Sequence, residues 1–171
     1  MRLLLQLQSI RSFARQKTQG FTLLELLVVL VISGVLAAIA LPSFLNQASK
    51  SKQVEAKINL GSINRAQQAY MMESSQFSDD LQKLGIAVSS NNYLYTIVVD
   101  GNSQYAVHHA ESRSSTLKPY VGMAAATHNS VGELNVLTVL CEADQNQIGK
   151  AADPIYAANS VDCAPGTRSP R

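Results

Sequence analysis

Gly20–Pro42 reads GFTLLELLVVLVISGVLAAIALP. From Phe21 to Pro42 there are 22 residues and one charge, Glu25. As a helix rising about 1.5 Å per residue the stretch would span roughly 33 Å, enough to cross a hydrocarbon core of about 30 Å. Glu25 is the exception, because a carboxylate at the bilayer centre costs about 2.5–3.5 kcal/mol. It stands one turn from the edge of the segment, where the cost is lower but still calls for a reason. One reason is local: Thr22-Leu23-Leu24-Glu25 is a T-x-x-E capping box ahead of an apolar run, and a first-turn Glu suits the positive end of the helix dipole. The other is that Glu25 is kept for a buried cation. The apolar stretch alone leaves both open.

Working outward, the first 20 residues hold Arg2, Arg11, Arg15 and Lys17 and no acid. The whole chain of 171 residues carries a formal charge of +2, and without those 20 it would be about −2, with 10 basic and 12 acidic side chains. The pI near 8.6 therefore belongs to the N-terminal segment and is no argument for nucleic-acid binding. Lys50, Lys52 and Lys57 follow the span, so the positive-inside rule favours a cytoplasmic N-terminus by only four to three. An ordinary secretory signal fits less well. Ala38-Ile39-Ala40 matches A-x-A, but the apolar run is longer than a usual h-region and has a Glu near its start.

Ser33-Gly34 interrupts the span, and Pro42 removes a helical hydrogen bond, so a kink is expected near residues 38–42. The helix is predicted to continue from Ser43 to about Ser74. Ala56, Leu60, Ile63, Gln67 and Tyr70 alternate at four- and three-residue spacing and make one face. Residues 75–92 read as a connection anchored by Phe77, Leu81 and Leu84, with Ser78 or Asp79 opening a short turn and Gly85 ending it. The period then falls to 2. Strands are predicted at Tyr93–Val99, Gln104–Ala110, Tyr120–Thr127 and Asn135–Cys141, with a tight turn at Asp100-Gly101-Asn102. Tyr105 and Val107 share a face of the second strand. This is an α+β reading: a long N-terminal helix, transmembrane half plus amphipathic half, on a four-stranded antiparallel sheet. Residues 142–171 show little periodicity and read as a loop, with a loose tail from Ala164.

No catalytic constellation stands out. His108 and His109 are adjacent on a strand, so they point to opposite faces and cannot jointly grip a metal. Together with His128 they are expected to be solvated. Asp144, Asp153 and Asp162 lack the alternating spacing of a calcium loop, and no phosphate-cradling Gly-rich loop is present.

The join Lys17-Thr18-Gln19-Gly20-Phe21-Thr22-Leu23-Leu24-Glu25 resembles the prepilin signature of type IV pilins and type II secretion pseudopilins. The resemblance implies that prepilin peptidase cuts after Gly20, that Phe21 is N-methylated, and that Glu25 pairs with the cationic N-terminus of a neighbouring subunit. It also implies that the stretch between Gly34 and Pro42 loosens during assembly. The layout further resembles the pilin fold with its C-terminal disulfide loop. Tyr93–Cys141 looks like the cyanobacterial type IV pilin-like G and H proteins. The 20-residue leader departs from the very short leader of the commonest type IV pilin class, which Phe21 fits. If the domain is exported, a Cys141–Cys163 disulfide is the default; its 23-residue loop would contribute roughly 3 kcal/mol.

The organisation then reads as leader 1–20, removed; assembly helix 21–42; and a globular domain 43–171, made of helix 43–74, connection 75–92, sheet 93–141, disulfide loop 142–163 and tail 164–171. The resemblance implies a structural pilus subunit, not an enzyme, with no cofactor, metal or catalytic residue. The implied partners are further copies in a filament homopolymer, prepilin peptidase, the inner-membrane pilus assembly machinery, and membrane lipid before assembly. It implies a single-span inner-membrane precursor that later stands in a cell-surface pilus. The alternatives are a minor pilin or type II secretion pseudopilin, and a single-span periplasmic domain that never polymerises.

Overall fold

The computed structural model describes residues 21–128, 131–157 and 160–170. The expected leader, with Gly20, lies outside the described residues. Helix α1 (Leu23–Ser74) includes Pro42. The chain divides into two compact units, Met1–Phe44 and Leu45–Arg171.

In the first unit every described side chain is exposed. An 18-residue window of α1 is long and apolar enough to cross a membrane, and none of that window is buried within the chain. Among the described residues nothing covers its leucines, valines and isoleucines, so by the hydrophobic effect they require a bilayer or other chains around them.

In the second unit the remaining part of α1 packs on an antiparallel sheet of order β1-β2-β3-β4-β7. The strands are β1 (Tyr93–Val99), β2 (Tyr105–Ser112), β3 (Tyr120–His128), β4 (Leu134–Ala143) and β7 (Thr167–Arg168); β5 (Ile155–Ala157) and β6 (Ser160–Asp162) form a separate hairpin. The expected four-strand meander is present. A fifth, two-residue strand joins it from the segment expected to be a loose tail: Thr167 pairs with Ala143 and Arg168 with Glu142. The Asp100–Asn102 turn closes as expected, with the Ser103 N–H donating to the Asp100 carbonyl at 2.8 Å.

The helical stripe buries Ala56, Leu60, Ile63 and Gln67, and its last member is Met71 rather than Tyr70. Five positions at 3.6 residues per turn drift by a fraction of a residue, which is enough to exchange neighbours. Gln67 reaches the connection: its amide donates to the Ser78 carbonyl at 2.6 Å and accepts from the Ser78 N–H at 3.1 Å. Phe77 is buried, and Leu81 and Leu84 pack on the core. Gly85, at φ 69°, terminates the turn, and the Ile86 N–H returns to the Leu81 carbonyl.

Both faces of the sheet are covered along its central strands. Tyr93, Ala110 and Tyr120 meet α1. On the opposite face Val107, Val121, Met123 and Cys141 meet Ala151, Tyr156, Val161 and Cys163 of the C-terminal segment. Cys141 and Cys163 are bonded. The two layers overturn the expectation for two histidines: His108, against Asn64 of α1, and His109, near Asp153 of the C-terminal segment, do point to opposite faces, but both are buried. His128 is exposed.

Candidate functional site

The N-terminal end of the described chain gathers Phe21, Thr22 and Glu25. Phe21 precedes the helix and is 72% exposed. The Thr22 hydroxyl accepts from the Glu25 backbone N–H at 3.2 Å, and the Thr22 carbonyl accepts from the Leu26 N–H. Thr22 is thus an N-cap, satisfying one of the four orphan donors of the first turn. This is half of the capping box. Among the described residues the Glu25 carboxylate has no hydrogen-bond or ion-pair partner, and it is exposed. The carboxylate therefore stands within one turn of Phe21 with its acceptor positions open among the described residues. Further along, a Cβ added at Gly34 would meet nothing within 4 Å. Gly34 therefore answers no packing demand within the single chain, although a helix-interior Gly costs about 1 kcal/mol against Ala.

In the second unit two polar clusters hold the elements in place. Glu142, on the α1-facing side of β4, has a side chain only 12% exposed, between Arg168 at 3.1 Å, Lys118 at 3.3 Å and Lys57 at 3.7 Å. The Tyr120 hydroxyl contacts it at 3.4 Å and Gln53 at 3.0 Å. Burial pushes the Glu142 carboxyl upward, but the hydrogen bonds and charges of Arg168, Lys118 and Lys57 outweigh it and hold the carboxyl below its usual range. Burial and the Glu142 charge together raise the Tyr120 phenol.

The second cluster is His108 against Asn64. The Asn64 amide donates to the Val139 carbonyl at 3.1 Å, which turns its oxygen toward His108 Nε2. Nε2 therefore carries the proton and donates. Nδ1 is buried and unpartnered among the described residues. Burial first, and the neighbouring His109 second, push the His108 imidazole down to about 3, so it is neutral. The ring lies over Gly122, its register partner on β3: a Cβ there would stand 2.6 Å from Cδ2 and 2.7 Å from Nε2. Glycine is required at this position by close approach. On the other face His109 Nε2 lies 3.2 Å from Asp153; burial lowers its imidazole, and Asp153 partly opposes that.

The three acids of the C-terminal segment serve separately. Asp153 faces His109, Asp144 lies 3.5 Å from Arg168, and Asp162 is exposed. Among the described residues no three His, Cys, Asp or Glu side chains gather in a metal-binding group. No spacing in the sequence singles out Asn64, Glu142 or Arg168. Gly122 inside the unbroken apolar run of β3 is the one legible signal, since a strand glycine marks close approach.

Residues 15–41 match the prokaryotic N-terminal methylation motif. The Myxococcus xanthus type IV major pilin protein PilA is 42% identical over 82 residues, covering 47% of this chain and 37% of PilA. Fimbrial protein EcpC of Eikenella corrodens is 33% identical over 102 residues, covering 59% of this chain and 67% of EcpC. The type II secretion system core protein G of Klebsiella pneumoniae is 33% identical over 75 residues, covering 44% of this chain and 54% of that protein. The matches to PilA and core protein G thus span less than two thirds of those proteins. Residues 53–164 match the family model for type IV pilin-like G and H proteins, and the chain belongs to that family.

Proposed function

We propose that the chain is a structural subunit of a type IV pilus, made as a single-span inner-membrane precursor. Its N-terminus is cytoplasmic and its globular domain periplasmic. Prepilin peptidase removes residues 1–20 between Gly20 and Phe21, and Phe21 is then N-methylated. The inner-membrane assembly machinery draws 21–42 out of lipid into a filament core made of other copies, with the Gly34–Pro42 stretch loosening on the way. The domain 43–171 forms the outer body. One observation carries this reading: among the described residues Glu25 offers an exposed, unpartnered carboxylate within one turn of Phe21, at the start of a helical span whose apolar side chains none of those residues covers.

A helix cap needs only the Thr22 hydroxyl, which already serves the Glu25 N–H. The carboxylate is free for the cationic terminus of the next subunit. Glu25→Gln keeps the shape and removes the charge. A buried cation left unpaired costs roughly 3–5 kcal/mol at every subunit contact. The expected result is normal processing and membrane abundance with surface fibres scarce or absent. Equal fibre yield for wild type and Glu25→Gln, with a defect only in Glu25→Ala, would return Glu25 to a capping role. The likeness to core protein G supports a second reading, a minor pilin or pseudopilin. Copy number in sheared surface fibres separates the two.

A further inference from the structure

The two edges of the five-stranded sheet differ. β7 is two residues long and carries Arg168, and short, charged edges resist pairing with foreign strands. β1 is seven residues, YLYTIVV, with no charge and no proline, and it lies at the other end of the strand order. The Asp100 N–H donates to Tyr105 and the Arg113 N–H to Asn92. The even-numbered residues of β1 therefore bond to β2. The backbone groups of Tyr95, Ile97 and Val99 point away from the sheet, and among the described residues no strand pairs with them. Leu94 and Val98 stand on the face away from α1, 46% and 55% exposed.

We propose that β1 is a self-pairing edge, through which two copies of this chain join their sheets antiparallel about a two-fold axis at Thr96. The sequence of the strand favours a second copy as the occupant. With the axis at Thr96, Tyr95 and Ile97 of the two copies exchange the outward hydrogen bonds. Leu94 faces Val98 of the other copy on both sides, and Thr96 faces Thr96. Apolar pairs and a Thr–Thr pair are favourable cross-strand neighbours, and no charge within either strand is set against another. Moving the axis by one residue either way sets Asp100 against Leu94 or Asn92 against Val98.

Seven residues bury too little for a stable dimer of isolated chains, so the contact gains strength where many copies are arrayed. It is also isologous and closes on itself, whereas a filament contact must be heterologous to propagate. In the proposed pilus it therefore joins fibres side by side. That role rests on the filament reading; the pairing itself does not.

The non-hydrogen-bonded Thr96–Thr96 pair would have Cα atoms about 4.5 Å apart, within disulfide reach. Two Leu94 residues would be about 13 Å apart along the strands. Full-length Thr96→Cys and Leu94→Cys chains are oxidised in isolated membranes and in sheared fibres, and covalent dimer is read on non-reducing gels. The expected result is at least tenfold more dimer for Thr96→Cys, and recovery of dimer in the Leu94→Cys/Val98→Cys double variant. Dimer from Thr96→Cys no greater than from Leu94→Cys, or none from the double variant, overturns the pairing. Dimer in membranes with no fibres would sink only the filament reading.

Discussion

Gly122→Ala is the sharpest test of how the second unit is held together. The new methyl would stand 2.6–2.7 Å from the His108 ring and 3.2 Å from Asn64 Oδ1. Ordinary carbon contacts begin near 3.5 Å, so the ring must move by about 1 Å. His108 is fully buried and its Nε2 is committed to Asn64. Overpacking of this kind costs about 1–3 kcal/mol. Losing the His108–Asn64 bond inside the core adds about 1–3 kcal/mol. A total of roughly 2–6 kcal/mol is a large share of the 5–15 kcal/mol typical of a domain. At about 3–5 °C per kcal/mol for a unit of this size, the melting temperature should fall by about 6 °C or more. The assay is thermal unfolding of the full chain in detergent by near-ultraviolet circular dichroism. Gly122→Ala combined with His108→Ala should be less damaging than the sum of the singles, because the methyl then has room. A Gly122→Ala melt within about 2 °C of wild type would refute the wedge.

Acid should destabilise the second unit well before ordinary carboxylates titrate. His108 titrates near 3 when folded and near 6.5 when unfolded, so the unfolded chain binds the extra proton and stability falls as pH drops below 6.5. Stability at pH 4.5 should be about 2–3 kcal/mol below that at pH 7.5, as denaturant titrations will show, and His108→Gln should flatten that slope. Glu142→Ala should cost about 1–3 kcal/mol, because it leaves Arg168, Lys118 and Lys57 without their shared anion, and hydrogen exchange at Thr167 and Arg168 should quicken first. Reduction of Cys141–Cys163 should release β5 and β6 before it disturbs α1, which amide exchange of the reduced chain will show. Gly20 replaced by a large residue should leave full-length precursor in the membrane, read as intact mass.

What the sequence disclosed depended on how long each periodic signal runs. Tyr93–Val99 alternates over a full strand, and its bounds match those of the folded strand. The helical stripe was legible to its last turn, where Met71 replaces Tyr70. The C-terminal strands of two and three residues are shorter than any period, and they form because β4 and the disulfide hold them. The histidines show the deeper reason for a miss. Both were expected to be solvated, but α1 covers His108 on one face of β2 and the C-terminal segment covers His109 on the other. The runs Tyr105-Ala106-Val107 and Val121-Gly122-Met123-Ala124-Ala125 barely alternate, which is the mark of two-sided burial. At the candidate site the positions of Phe21, Thr22 and Glu25 were legible because they lie within one turn. Asn64 and Glu142 were not, since their partners stand 44 and 26 residues away.

Near its end strand β4 carries Cys141 and Glu142, adjacent residues facing opposite sides of the sheet. One holds Cys163 by a covalent bond; the other holds Arg168 by charge. The ionic hold needs no oxidant, so it can form while both thiols are still reduced. Arg168 pairs with Glu142 in register, which brings the preceding segment back along β4 and confines the Cys163 thiol near Cys141. Oxidation then becomes a ring closure at high effective molarity rather than a search among thiols of crowded neighbours. A precursor waiting in the membrane beside many identical chains is thereby directed to its own cysteine.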